Sequence, residues 1–194
     1  MSKRMVKALK DKYIYVDIDG TLAEYRFNNH VGAKDGTTNG QTMEEIENHV
    51  FLHSRPLKRV IQTLKRAKKK GIWICGAIIS PVELLDKIVW LEENCKGIEF
   101  NGKFWFVPEE YWGNFIEYFD NNNSLGNKLA SNDTCIETKY GAIMKGTKIH
   151  IWDWIISHNF TELGKTVFVD DVLSYLKYAE ERGVTAYHIS SFIE

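Results

Sequence analysis

The stretch that most constrains this chain is residues 13–22, Tyr-Ile-Tyr-Val-Asp-Ile-Asp-Gly-Thr-Leu. Its first half is aromatic and β-branched, which reads as a strand buried on both faces. It runs straight into Asp17, Asp19, Gly20 and Thr21, residue types that are poor in strands and good in turns. Two carboxylates are therefore expected at the carboxyl end of a central strand, the edge at which open α/β sheets bind ligands. A solvated Asp-Gly turn is the bland reading of the dipeptide alone. An apolar strand ending in Asp-x-Asp-Gly-Thr points instead to a bound group. Residues i and i+2 of an extended strand project to one side, so both carboxylates are expected to face the same site.

A second apolar strand with an acidic end lies far down the chain, Thr166-Val167-Phe168-Val169-Asp170-Asp171. If its end meets the first, three or four carboxylates converge and repel one another, each close pair at a cost on the order of several kcal/mol in a partly buried site. A cation is then required, and oxygen-only ligands favour magnesium over zinc.

Between these strands the pattern alternates. Residues 23–40 are polar and rich in Gly and Asn, a loop or flap. It carries Tyr25, Arg26 and His30, read as surface or packing residues with substrate contact as the alternative. Thr42 and Glu45 are spaced as a capping box for a short helix. Pro56 opens an amphipathic helix with Leu57, Val60, Ile61 and Leu64 inward, and the basic run 65–70 followed by Gly71 reads as its stop. A nucleic-acid contact is the sharper alternative for that run. Residues 72–79 form the next apolar strand, ending at Ser80-Pro81, with Pro81 suited to the first turn of a helix and Ser80 to its cap. A hydroxyl at a strand end beside a helix N-terminus also suits a phosphate, and both readings can hold. In 98–107, either Asn101-Gly102 makes a tight hairpin turn, or one apolar half is the third core strand and the rest starts an insert. The aromatic segment 108–119 reads as a packed helix, and 120–133, rich in Asn, as a long loop. Thr147 is expected to cap a helix over 148 to about 158, with Lys148 in its first turn, where a cation opposes the helix dipole and so suggests another role. A last helix stopped near Gly183 and a strand over 184–189 complete the order, which predicts a parallel sheet with helices on both faces.

The four strand-end features resemble, in order, the four motifs of the haloacid dehalogenase (HAD) superfamily of phosphotransferases. Asp17, Asp19 and Thr21 match the Asp-x-Asp-x-Thr first motif, Ser80 the second, a lysine the third and Asp170-Asp171 the fourth. Lys148 is the favoured third-motif lysine and Lys145, in a Lys-Gly pair, its rival. The resemblance implies an α/β, HAD-like (Rossmannoid) three-layer fold in one domain over residues 1–194, with small inserts at about 23–55 (flap or cap) and about 101–146. It implies Asp17 as nucleophile and Asp19 as general acid/base. Ser80 and Lys148, with Gly20 and Thr21, would bind phosphate. Mg²⁺ would sit between the Asp17 carboxylate, the Asp19 backbone carbonyl and Asp170. The function so implied is hydrolysis of a phosphate monoester through an aspartyl-phosphate. The Ser80-Pro81 and Asp170-Asp171 pairs are similar to those of deoxyribonucleotidase-type members, suggesting a nucleotide 5′-monophosphate or another small phosphometabolite. A nucleic-acid end-processing phosphatase and a non-catalytic binding protein on the same fold are the alternatives.

Composition is ordinary for a soluble globular protein. The 194 residues are 44% hydrophobic and 26% charged, with a net charge of −1, which argues against a non-specific nucleic-acid binder. There is no run long enough to span a bilayer, and the basic 1–12 segment lacks the apolar stretch of a signal peptide. Cys75, Cys95 and Cys135 form no disulfide or metal pattern. The expected location is the cytoplasm, with no membrane partner.

Overall fold

The computed structural model describes residues 2–24, 42–121, 134–158 and 160–193, and the backbone of 126–128. The flap residues Tyr25, Arg26 and His30, and most of the 120–133 loop, lie outside the described residues.

The fold is α/β, built on a mostly parallel sheet. The strands are β1 (Tyr13–Val16), β2 (Gly71–Ala77), β3 (Gly102–Val107), β4 (Gly126–Lys128), β5 (Cys135–Thr138), β6 (Gly141–Lys145), β7 (Thr166–Asp170) and β8 (Thr185–His188). Among the described residues they form one sheet in the order β4-β5-β6-β3-β2-β1-β7-β8. The pairings from β6 through β3, β2, β1 and β7 to β8 are parallel. β5 is antiparallel to β6, and β4 to β5. The helices are α1 (Lys3–Ala8), α2 (Met43–Glu47), α3 (Lys58–Arg66), α4 (Pro81–Asn94), α5 (Trp112–Asn121), α6 (Ile149–Ser157) and α7 (Leu173–Glu181).

The period-2 alternation of each strand divides the core into two layers. Ile14, Val16, Ile72, Ile74, Val167 and Val169 pack with Met5 of α1, Leu64 of α3 and Leu84 and Ile88 of α4. Tyr15, Trp73, Cys75, Phe104 and Phe168 face the other way, onto Ile151, Trp152 and Ile155 of α6 and Leu176 and Ala179 of α7. One side is mainly aliphatic, and half of the buried residues on the other are aromatic. Tyr15 stacks on Trp73 at 5.1 Å between centroids and meets Trp152 edge-on at 5.4 Å.

Residues 3–8 form a helix capped by Ser2, whose hydroxyl accepts the Met5 N–H. Several local expectations change. α3 ends at Arg66, short of Gly71, which instead opens β2. The Lys68 carbonyl accepts the Asp11 N–H, and Lys70 donates its N–H to the Lys12 carbonyl, so the basic residues edge the sheet at its amino end. Asn101-Gly102 makes no hairpin. The Asn101 side chain takes the Ile72 N–H and its own N–H goes to the Ile72 carbonyl, which starts β3 beside β2. The span marked as a second insert, 101–146, contains β3 and β6, both strands of the parallel sheet.

Candidate active site

Chain order along the sheet reverses at β1. From there the chain builds outward to β2, β3 and β6, and later returns to lay β7 and β8 on the other side. A crevice opens outside the carboxyl ends of the strands at such a reversal, and here it falls between β1 and β7. Asp17 follows β1, with its N–H bonded to the Val169 carbonyl of β7. Asp170 is the last residue of β7. The two acidic strand ends seen in the sequence are thereby brought together.

Lys148, just before α6, reaches in from the aromatic layer. Its Nζ lies 2.7 Å from Asp17 Oδ1 and 2.9 Å from Asp170 Oδ2, with all three side chains buried. The Tyr175 ring lies 5.1 Å from the same ammonium. The expected cap at Thr147 does not form. Lys148 itself occupies the cap position, and the Thr147 N–H is taken by His150 Nδ1. Lys145 instead pairs with Glu109 at 2.6 Å on the surface.

Asp19 departs from the expected arrangement. The strand stops at Val16, and the chain then coils around the Ile18 carbonyl, which accepts N–H groups from Thr21, Leu22 and Ala23. The i, i+2 rule no longer applies in such a turn. Asp19 is held from the aliphatic layer, where Lys87 Nζ of α4 lies 2.7 Å from Asp19 Oδ2. Two lysines on opposite faces of the sheet, one within α4 and one just before α6, thus hold two carboxylates of one short segment. Lys87 is absent from the sequence-derived site. It sits in a run, Leu84-Leu85-Asp86-Lys87-Ile88, where a polar residue reads as the solvent face of an amphipathic helix.

Gly20 has φ +73°, and a Cβ there would fall 2.1 Å from Asp171 Oδ2. Only glycine lets this turn approach Asp171. The Gly20 N–H is bonded to the Ala23 carbonyl and the Thr21 N–H to Ile18, so neither is free to meet a phosphate in this arrangement. Ser80 caps α4, accepting the Val82 N–H at 3.2 Å, at the carboxyl end of β2 beside β1.

Three oxygens here are buried without a hydrogen-bond partner: Asp17 Oδ2, Asp19 Oδ1 and Thr21 Oγ1. Buried polar groups are paired as a rule, so this cluster marks a place built for something else. Asp17, Asp170 and Asp171 each offer an oxygen within 4.8 Å of the others, which suits a hard divalent cation.

Five carboxyls (Asp17, Asp19, Glu83, Asp170, Asp171) here face two ammonium groups (Lys87, Lys148). Burial pushes the Asp17 carboxyl up to about 7. Lys148 pulls it down, while Asp170 and Asp19 add repulsion. Asp171 is pushed up to about 6, first by burial and then by Asp17. Asp170 is raised by burial against the pull of Lys148. Burial alone would lower Lys148, but its contacts with Asp17 and Asp170 outweigh that and hold it well above the usual lysine range.

No protein-family model matches this chain, and no curated protein sequence matches it.

Proposed function

We propose that this protein is a magnesium-dependent phosphatase of the HAD type that hydrolyses a small phosphate monoester through a phosphorylated Asp17. The observation that carries this reading is the pair of strand-end carboxylates at the sheet reversal, each held by its own lysine through one oxygen and each with its other oxygen buried and unpartnered.

Asp17 is the nucleophile. Its free Oδ2 forms the new bond to phosphorus while the bond from phosphorus to the alcohol oxygen breaks. Asp19 gives its proton to the leaving oxygen. It later removes one from the water that releases phosphate from Asp17, a contribution of about 10²–10⁴-fold. Lys148 keeps the Asp17 and Asp170 carboxylates together and adds positive charge beside the attacked phosphoryl group. Ser80, at the start of α4, offers a hydroxyl and a helix N-terminus to the phosphoryl oxygens. Asp17, Asp170 and Asp171, with the Asp19 carbonyl, would hold Mg²⁺, which when bound offsets the repulsion between carboxylate and phosphate.

A nucleotide 5′-monophosphate or similar phosphometabolite is the substrate class favoured here. The basic run 65–70, the sequence feature that most suggested a nucleic-acid end, lies at the amino edge of the sheet, the edge opposite Asp17. The test is a screen over nucleotides, sugar phosphates and 5′- and 3′-phosphorylated oligonucleotides, with Mg²⁺ and with a chelator. Metal-dependent release of phosphate from small monoesters is expected. Preference for oligonucleotides would favour end processing. Absence of turnover on every class, with generic aryl phosphates included, would favour a binding protein and defeat the proposal.

A further inference from the structure

Lys87 stands in the middle of α4 and is 1% exposed. Its ammonium lies 2.7 Å from Asp19 Oδ2, 2.8 Å from Glu83 Oε1 and 2.6 Å from the Ala77 carbonyl oxygen. All of its protons therefore have acceptors. The Phe51 ring, from the turn that follows α2, covers it at 5.2 Å. Glu83 is fixed in its turn, since its Oε2 accepts the Ile79 N–H at 2.7 Å. The chain of contacts thus runs from the backbone at the start of α4, through Glu83 and Lys87, to one oxygen of Asp19.

Stability alone does not account for this lysine. A buried ion pair is commonly no better than a well-packed apolar group of similar size, and this position is buried. What Lys87 does supply is a fixed direction. Asp19 lies in a turn after β1 has ended, so no strand geometry orients its side chain. With Oδ2 held by Lys87, Oδ1 is left buried and without a partner.

We propose that Lys87 is a positioning residue for proton transfer: it pins Asp19 through Oδ2 so that Oδ1 is the oxygen that delivers the proton to the leaving group and later takes one from water. This rests on the reading of Asp19 as the acid/base. It adds that this residue is aimed by α4 rather than by the strand, and that Glu83 holds the aiming group in place.

The test is the paired change Lys87→Met with Glu83→Gln, which removes the hold without leaving either charge alone on α4. In the wild-type background kcat should fall about 10- to 100-fold with KM unchanged, the scale of a misaimed proton-transfer group. In an Asp19→Asn background the same pair should cost nothing further, because Lys87 would act only through Asp19. Equal losses in both backgrounds, or an unchanged kcat, would overturn the inference. A crystal structure of the paired variant tests the role of Lys87 even if the wild-type protein turns over no phosphate. The Asp19 carboxylate should leave its wild-type position, and a carboxylate still in place would reject that role independently of the reaction assigned to the site.

Discussion

Lys145 and Lys148 are close in sequence and lie in opposite environments. Lys145 meets Glu109 in solvent, an ion pair of the kind worth little. Lys148 lies between two buried carboxylates. Lys148→Ala should lower kcat/KM by about 10²-fold or more, as for loss of a buried charge-stabilising donor, whereas Lys145→Ala should change it little. Parallel steady-state kinetics would check this, and equal effects would remove Lys148 from the site. Sequence reasoning reached Lys148 because a cation at a helix start opposes the dipole and so lacks a local reason. It could not reach Lys87, whose burial depends on Asp19, a residue 68 positions away. Nor did it assign a role to Asp171. Its approach to the site requires the space above Gly20.

Among the elements, α4 carries the most function for its length. Its cap, Ser80, is both the expected phosphate ligand and the residue that satisfies the Val82 N–H. Two substitutions separate these roles. Ser80→Ala should cost about 1 kcal/mol of stability through the lost cap, while Ser80→Gly should cost only a few tenths. Both lack the hydroxyl and should lose the same activity. Urea unfolding together with kcat/KM for both variants decides the matter, and activity that tracks stability would leave Ser80 as a cap alone. β1, β2 and β7 were legible because a strand buried on both faces reads as an unbroken apolar run. The extension β4–β5 was not, since short strands in a polar, Gly- and Asn-containing segment carry no such pattern. Lys-rich sequence followed by glycine is a helix stop signal, yet α3 ends at Arg66 and Gly71 is needed at the start of β2. There a Cβ would meet the Trp73 ring at 2.4 Å.

For the whole molecule, the central consequence is electrostatic. The carboxyls of Asp17 and Asp171 are pushed to about 7 and about 6, from an ordinary value of 3.8. The folded chain therefore holds these protons more tightly than the unfolded chain does. The stability they lend is present in full below about pH 4 and is lost as pH rises through 6 to 7. Metal-free protein should show a falling Tm across that window. Mg²⁺ should raise Tm by binding the folded state alone, and by more at pH 7.5 than at pH 5.5, where protons compete for the same oxygens. Thermal melts at both pH values, with and without Mg²⁺, check both signs. A metal-free Tm that climbs from pH 5.5 to 7.5 would contradict the picture of a repelling acidic cluster.

The most direct measurement of the central claim is a search for the covalent intermediate. Asp19→Asn should still let Asp17 attack a phosphate with a good leaving group, while removing the base that activates water for the second step. Incubated with Mg²⁺ and an aryl phosphate, this variant should carry one phosphoryl group on the peptide containing Asp17, detected by mass spectrometry after an acid quench. The adduct should disappear in the Asp17→Asn, Asp19→Asn double variant. A wild-type enzyme that turns over this substrate while the Asp19→Asn variant carries no adduct, or carries it on another residue, would contradict the assignment of Asp17 as the nucleophile.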